Sequence, residues 1–171
     1  MTAAAVRTTA PRQVGRFIIV CAVLWALTAT GALLAAAGLV ELTSGAPRDA
    51  LPARLEIVVD LAAHNALVAL WPAGLIAVGW AAIPVARTVG DILVAGQLAG
   101  HGLLVGSALG THPGLWRYLP HLPLEWLALA LPAAAWATAR RNEPPLLIPT
   151  VLLTALLIAG AALLETFAVP I

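Results

Sequence analysis

A chain of 171 residues with 61% hydrophobic residues, 10% charged residues and a mean hydropathy of +0.97 is too apolar for a water-soluble domain. The formal net charge of +1 provides no clustered basic face, so we expect no nucleic-acid partner. Cys21 is the single cysteine, which excludes a disulfide or a cysteine metal site within one chain.

Five segments are long and apolar enough to cross about 30 Å of hydrocarbon. They cover approximately residues 17–40, 62–85, 89–109, 121–138 and 146–169, with 1–16 as a cytoplasmic tail and 41–61 as an outer loop. The first segment also has features of a signal peptide, but its apolar run is too long for one and we interpret it as an anchor. Residues 17–171 are thus predicted to be a single membrane domain, an all-α bundle of five transmembrane helices in a lipid bilayer.

The outer loop contains a short amphipathic pattern. Leu55, Val58 and Ala62 recur at helical spacing after Pro52. This pattern predicts either a turn of helix lying on the outer surface or the first turns of the second span.

The third span carries two rows of glycines at four-residue spacing. One row is Gly96 and Gly100, and the other is Gly102, Gly106 and Gly110. Small residues at this spacing let membrane helices approach closely, so both rows are predicted to serve helix packing.

The distribution of the arginines predicts that the N-terminus is inside and the C-terminus outside. Six arginines then lie on the cytoplasmic side and three outside, in agreement with the positive-inside rule. The inner set is Arg7, Arg12, Arg16, Arg87, Arg140 and Arg141, and the outer set is Arg48, Arg54 and Arg117.

Threading the spans in alternating directions brings polar residues of three spans to one depth in the outer leaflet. Ionisable groups in hydrocarbon are costly and are the first candidates for function. The polar cluster predicted in this way consists of His64, Asn65, His121, Glu125 and Glu165, with His101 on the third span as a deeper candidate member.

Four interpretations of this cluster remain open. Imidazole with two carboxylates is a ligand set for a metal, but no second histidine shares the helix at ligand spacing. Acid–base chemistry and docking of another membrane protein are two others. The fourth interpretation is structural: His121 helps to cap the fourth helix, and Glu125 and Glu165, at least one of them protonated, hydrogen-bond across helices to His64, Asn65 or each other.

No serine or cysteine nucleophile lies beside a base, so we expect no catalytic residues, no metal and no cofactor. Gln97 and His101 are expected to bond to a neighbouring helix. Most of the aromatic residues are interpreted as facing the interface or lipid; these are Trp71, Trp80, Trp116, Trp126, Trp136 and Tyr118.

The chain resembles the stage II sporulation protein M family of bacterial membrane proteins in two segments. Residues 119–128 are similar to the family's Pro-His-Gly-x-x-Glu segment, and residues 163–170 to its Glu-Ala/Thr-x-x-x-Pro ending. Asn65 and the run from Gly102 to Gly106 add weaker support.

The resemblance implies a polytopic protein of the bacterial cytoplasmic membrane. The family's founding member acts as a scaffold beside cell-wall-degrading partners during engulfment in spore formers. We therefore expect a membrane scaffold or assembly protein with other membrane or envelope proteins, or a second copy, as partners. The alternative is a small permease or proton-coupled transport subunit that uses Glu125, Glu165 and His101, and a membrane metalloenzyme is a third hypothesis.

Overall fold

The computed structural model describes residues 3–40 and 55–167, and these residues form five long helices without a β-strand. Each helix contains a stretch long and apolar enough to cross a membrane. The prediction of an all-α protein with five transmembrane helices is therefore confirmed. The helices are α1 (Ala3–Ala36), α2 (Leu55–Ala77), α3 (Pro84–Thr111), α4 (Leu122–Ala139) and α5 (Leu147–Phe167), with short 3-10 turns at Trp80–Ala82 and Pro113–Tyr118.

The boundary between α2 and α3 differs most from the prediction. α2 begins at Leu55, so the amphipathic pattern belongs to the first turns of the second span. It ends at Ala77, because Gly79 adopts a left-handed conformation with a φ of 80°. Pro84 then starts α3 in the first turn, where its missing N–H is not needed. Residues 41–54 of the predicted outer loop lie outside the described residues.

The first helix is longer than predicted at its N-terminal end and shorter at the other. Residues 3–16, predicted to be a tail, continue the helix from Ala3. The helix ends at Ala36 and is followed by Gly38 in the left-handed region, at a φ of 69°. The backbone N–H of Leu39 donates to the Leu34 carbonyl at 2.9 Å, which completes a Schellman motif.

α4 is the central helix and contacts α1, α2 and α5. Most of its residues are buried inside the protein, among them a run of alanines at Ala133–Ala135. Membrane helices have no hydrophobic driving force for association, and small side chains such as alanine let them pack closely instead. α4 is also the shortest of the five helices, and its length suits an element enclosed by the others.

The interpretation of the tryptophans as lipid-facing is wrong for the two on α4 that fill the core. Trp126 and Trp136 are each 2% exposed. The indole N–H of Trp126 donates to Thr28 Oγ1 on α1 at 3.2 Å, and that of Trp136 donates to Asp91 Oδ1 on α3 at 2.9 Å. A buried tryptophan needs a partner for its N–H, and both find one on another helix. Trp116, in contrast, is exposed.

One of the two predicted glycine rows packs α3 against α1. A Cβ at Gly102 would lie 2.7 Å from Leu27 Cβ, and a Cβ at Gly106 or Gly110 would overlap the α1 backbone. On the α1 side, a Cβ at Gly31 would lie 2.7 Å from the Leu103 carbonyl oxygen. Glycines on both helices therefore permit backbone contact along this seam.

The other glycine row contacts none of the five described helices. A Cβ added at Gly96 or Gly100 would meet nothing within 4 Å. The prediction that this pair packs a neighbouring helix is thus wrong for the described helices of the monomer, because the row faces away from α1 around the axis of α3.

Polar contacts join α1 to α4 and α5 at the end of the bundle where α1 begins. Arg16 makes two hydrogen bonds to the Glu143 carboxylate, at 2.8 and 3.0 Å, and a third to Thr138 Oγ1 at 2.9 Å. These bonds and the positive charge of Arg16 hold the pKa of Glu143 below its ordinary value. Gln13 is buried and donates to Thr150 Oγ1 at 2.9 Å. We call this the Arg16 end.

Candidate functional site

At the opposite end of the bundle, three ionisable side chains from two helices converge. One ring nitrogen of His121 and one carboxylate oxygen each from Glu125 and Glu165 all lie within 4.8 Å of one another. His121 immediately precedes α4, Glu125 lies in its first turn, and Glu165 lies in the last turn of α5. We call this group the His–Glu–Glu triad.

The local backbone explains why His121 and Glu125 share a face. His121 already has helical dihedrals, φ −79° and ψ −21°, and its carbonyl accepts the Glu125 N–H at 3.2 Å. Residues four apart on a helix lie one above the other. The predicted capping role is wrong, because the His121 side chain makes no capping hydrogen bond to α4.

The triad combines one buried imidazole with two carboxyl groups that lie close together. His121 is 6% exposed, and its Nδ1 is enclosed without a hydrogen-bond partner. The two glutamates are half-buried. Two ionised carboxylates this close repel each other, and burial makes that repulsion stronger. A proton on one carboxyl group, or a bound cation, would remove this repulsion and stabilise the triad.

Asn65 of α2 joins the triad from a third helix. Its side-chain Nδ2 donates to Glu125 Oε1 at 3.2 Å. The predicted hydrogen bond across helices between Asn65 and Glu125 is therefore present. His64, the neighbouring residue, is exposed and is not among the side chains that meet here. One residue along a helix turns the side chain by about 100°, which carries His64 away from the triad.

His101 lies beside the triad at a small cavity. The cavity has a volume of about 60 Å³ and is bordered by Asn65, His101 and Glu125 among mostly apolar side chains. His101 Nδ1 donates to the Gln97 carbonyl of its own helix at 2.9 Å, whereas Gln97 Nε2 donates to the Val68 carbonyl of α2. The expected bond to a neighbouring helix is thus made by Gln97 and not by this nitrogen of His101.

The polar groups on the other half of α3 are already engaged. Asp91 pairs with Arg140 at 2.9 Å and accepts the Trp136 indole N–H. These contacts and those of Gln13 and Arg16 are interhelical contacts that the sequence interpretation missed. The sequence did contain a signal for these contacts, because polar residues of three segments lie near the predicted cytoplasmic interface.

No protein-family model matches this chain, and no curated protein or solved structure matches it at a significant level. The resemblance to the stage II sporulation protein M family rests on residues 119–128 and 163–170. His121 and Glu125 belong to the first of these segments and Glu165 to the second, and the three side chains meet at one end of the bundle.

Proposed function

We propose that the protein is a membrane scaffold that holds a transmembrane helix of a partner protein. The observation that carries this proposal is one face of α3 that residues 3–40 and 55–167 leave uncovered, which we call the Gly96 face. Val89, Leu93 and Leu104 on this face are 40–48% exposed, and Gly96 and Gly100 between them border open space. These five positions recur at the three- and four-residue spacing that forms one stripe along a helix.

The composition of the Gly96 face favours a helix as its occupant. Glycine in an exposed helix interior costs about 1 kcal/mol relative to alanine, so a pair is expected where close packing offsets the cost. The same four-residue spacing at Gly102, Gly106 and Gly110 already accommodates α1 within this chain. A partner helix with small residues would pack on the Gly96 face in the same manner.

The resemblance to the stage II sporulation protein M family supports the same role. A relative of that family would lie in the bacterial cytoplasmic membrane and act in envelope remodelling beside cell-wall-acting partners. In this proposal the N-terminus is inside, the Arg16 end faces the cytoplasm and the His–Glu–Glu triad lies in the outer leaflet. The excess of arginines at the proposed inner end supports that orientation.

The test compares two bulky substitutions in the producing cell. Gly96→Leu fills the Gly96 face, whereas the control Gly74→Leu fills open space on α2. The tagged chain is recovered in mild detergent, and a photo-crosslinking residue replaces Leu93, or Leu67 as its control. We expect one membrane protein to be crosslinked at Leu93 and to be lost with Gly96→Leu only. A partner consisting of this chain alone, or equal loss in both variants, would overturn the proposal.

The orientation has its own test. Gly114 is exposed beyond α3, near the His–Glu–Glu triad end, and Cys21→Ala removes the native thiol. A cysteine replacing Gly114 is expected to react with an impermeant thiol reagent added outside intact cells. Labelling that occurs only after the membrane is opened would invert the proposed orientation.

The cavity beside the triad favours one second candidate, a transport subunit. Asn65, His101 and Glu125 border a space large enough for a few water molecules. Transport requires this polar space to connect with the Arg16 end. Solute or proton flux in proteoliposomes that is abolished by Glu125→Gln, with partner recovery unchanged, would favour transport over the scaffold.

A further inference from the structure

We propose that the His–Glu–Glu triad binds a divalent first-row metal ion, with Zn²⁺ as the ion that suits it best. The site is independent of the Gly96 face and of the scaffold function. Sequence spacing alone argued against a metal, because only one histidine occurs on the helix that carries Glu125. The structure brings the third candidate ligand, Glu165 of α5, to the other two and shows all three candidate ligand atoms within 4.8 Å of one another.

The donor set fits a borderline metal. Zn²⁺ binds imidazole nitrogen and carboxylate oxygen at about 2.0–2.2 Å, so its tetrahedral ligands lie roughly 3.4 Å apart. The triad atoms are within 4.8 Å before any adjustment, and the two glutamates have rotatable side chains that can close the difference. Imidazole favours Zn²⁺ over the purely oxygen-seeking Mg²⁺ and Ca²⁺.

A buried orphan atom points to the same ligand. His121 Nδ1 is enclosed by protein and has no hydrogen-bond partner, although buried polar atoms are normally satisfied. The proposal assigns the coordination to this nitrogen, because a metal ion would supply the partner that it lacks. Solvent cannot supply this partner, because the His121 residue is only 6% exposed.

Charge balance in the membrane adds a third argument. Two glutamates inside an apolar helix bundle carry a charge of −2 when ionised, which is costly there. One divalent cation makes the site neutral with both carboxylates ionised, and it replaces their mutual repulsion with attraction. The same ion would fasten the start of α4 to the end of α5.

Asn65 is the positioning residue of the proposed site. Its Nδ2 holds Glu125 Oε1 at 3.2 Å, which fixes the orientation of the carboxylate. Hydrogen bonds from outer residues to ligating carboxylates are a regular feature of metal sites, and their removal weakens binding by about 10- to 100-fold. With three protein ligands, a tetrahedral ion would keep one position for water or an exogenous ligand.

The test uses the purified full chain in detergent, freed of metal with a chelator and then titrated with Zn²⁺. Bound zinc is measured by mass spectrometry after gel filtration. We expect one zinc per chain, loss of this zinc in Glu165→Gln and His121→Gln, and about 10- to 100-fold weaker binding in Asn65→Ala. The control variants Glu56→Gln and His64→Gln change exposed residues of the same types and are expected to bind normally.

Wild-type protein that binds no stoichiometric zinc would overturn the proposal, as would equal binding by the triad variants. If the triad variants fail to fold, X-ray absorption of the zinc-loaded wild-type protein decides. One imidazole nitrogen with oxygen ligands supports the site, whereas a shell of oxygen alone or one containing sulfur contradicts it.

Discussion

Close packing of α1 on α3 predicts a large difference between two identical substitutions on α1. Gly31 lies at the α1–α3 seam, and a Cβ there would be 2.7 Å from the Leu103 carbonyl oxygen and 3.1 Å from the Ser107 backbone nitrogen. Gly15 lies on the same helix, is exposed, and has nothing within 4 Å of its added Cβ. The two glycines therefore form a matched pair for alanine substitution.

The cost of Gly31→Ala follows from that distance. A carbon–oxygen contact is comfortable at about 3.3 Å, so the two backbones must separate by roughly 0.6 Å. Overpacking of this kind costs about 1–3 kcal/mol, and the better helix propensity of alanine offsets up to about 1 kcal/mol. We expect Gly31→Ala to lower the free energy of unfolding by about 1–2 kcal/mol, whereas Gly15→Ala leaves it unchanged or slightly higher.

The assay is equilibrium unfolding of the purified chain in mixed micelles, with helix content as the signal. Both variants are measured beside the wild-type protein under one detergent composition. Equal stabilities of Gly31→Ala and Gly15→Ala would refute the argument that backbone contact at this seam requires glycine.

Two further predictions concern the other helix contacts. Because Arg16 lowers the pKa of Glu143 in the folded state, the stability from this pair is present above pH about 4.5 and declines as the pH falls through the folded-state pKa. Arg16→Gln should remove this acid-dependent part of the stability when unfolding is measured from pH 7 to 3. An unchanged pH profile in Arg16→Gln would contradict the pairing. Trp126→Phe leaves the Thr28 hydroxyl without the indole donor and should lower the free energy of unfolding by about 1–3 kcal/mol, mostly through the lost hydrogen bond and a small cavity. If the destabilisation caused by Thr28→Val adds in full to that of Trp126→Phe, the two residues are not coupled.

The sequence predicted the class of fold and the common level of Asn65, Glu125 and Glu165 along the helices, because both depend on hydropathy and length. Glu125 and Glu165 were placed at one level by counting residues along alternating spans, and the structure brings them together. Asn65 was likewise a correct member of the predicted polar cluster, because its position along α2 was enough to predict it. Depth alone fails for His64, which is adjacent in sequence but turned away by the helix.

Rotation of each helix about its axis is the information that the sequence lacks. The two glycine rows of α3 look alike in sequence, yet only the row containing Gly106 contacts α1. Trp126 and Trp136 were interpreted as lipid-facing because tryptophan favours interfaces in general. Their burial follows from the central position of α4, which depends on how all five helices assemble.

The Arg16 end was missed for a related reason. Arg16 was assigned to a cytoplasmic tail, where an arginine is expected to be solvated. In the structure α1 continues through this residue, so Arg16 meets Thr138 and Glu143. Contacts between residues more than 120 positions apart cannot be read from local pattern.

The most direct test of the His–Glu–Glu triad is a crosslink between its two carboxylate positions. Glu125 and Glu165 are replaced by cysteine in a Cys21→Ala background, and a short bifunctional thiol reagent is added to membranes. The control pairs position 125 with a cysteine that replaces Glu56. Glu56 lies nine residues, about 13 Å, along α2 from Asn65, which contacts Glu125, so a short reagent is not expected to join this pair. The account predicts an intramolecular crosslink, seen by mass spectrometry, for the 125–165 pair only. Absence of that crosslink, with both thiols reactive toward a monofunctional reagent, would contradict it.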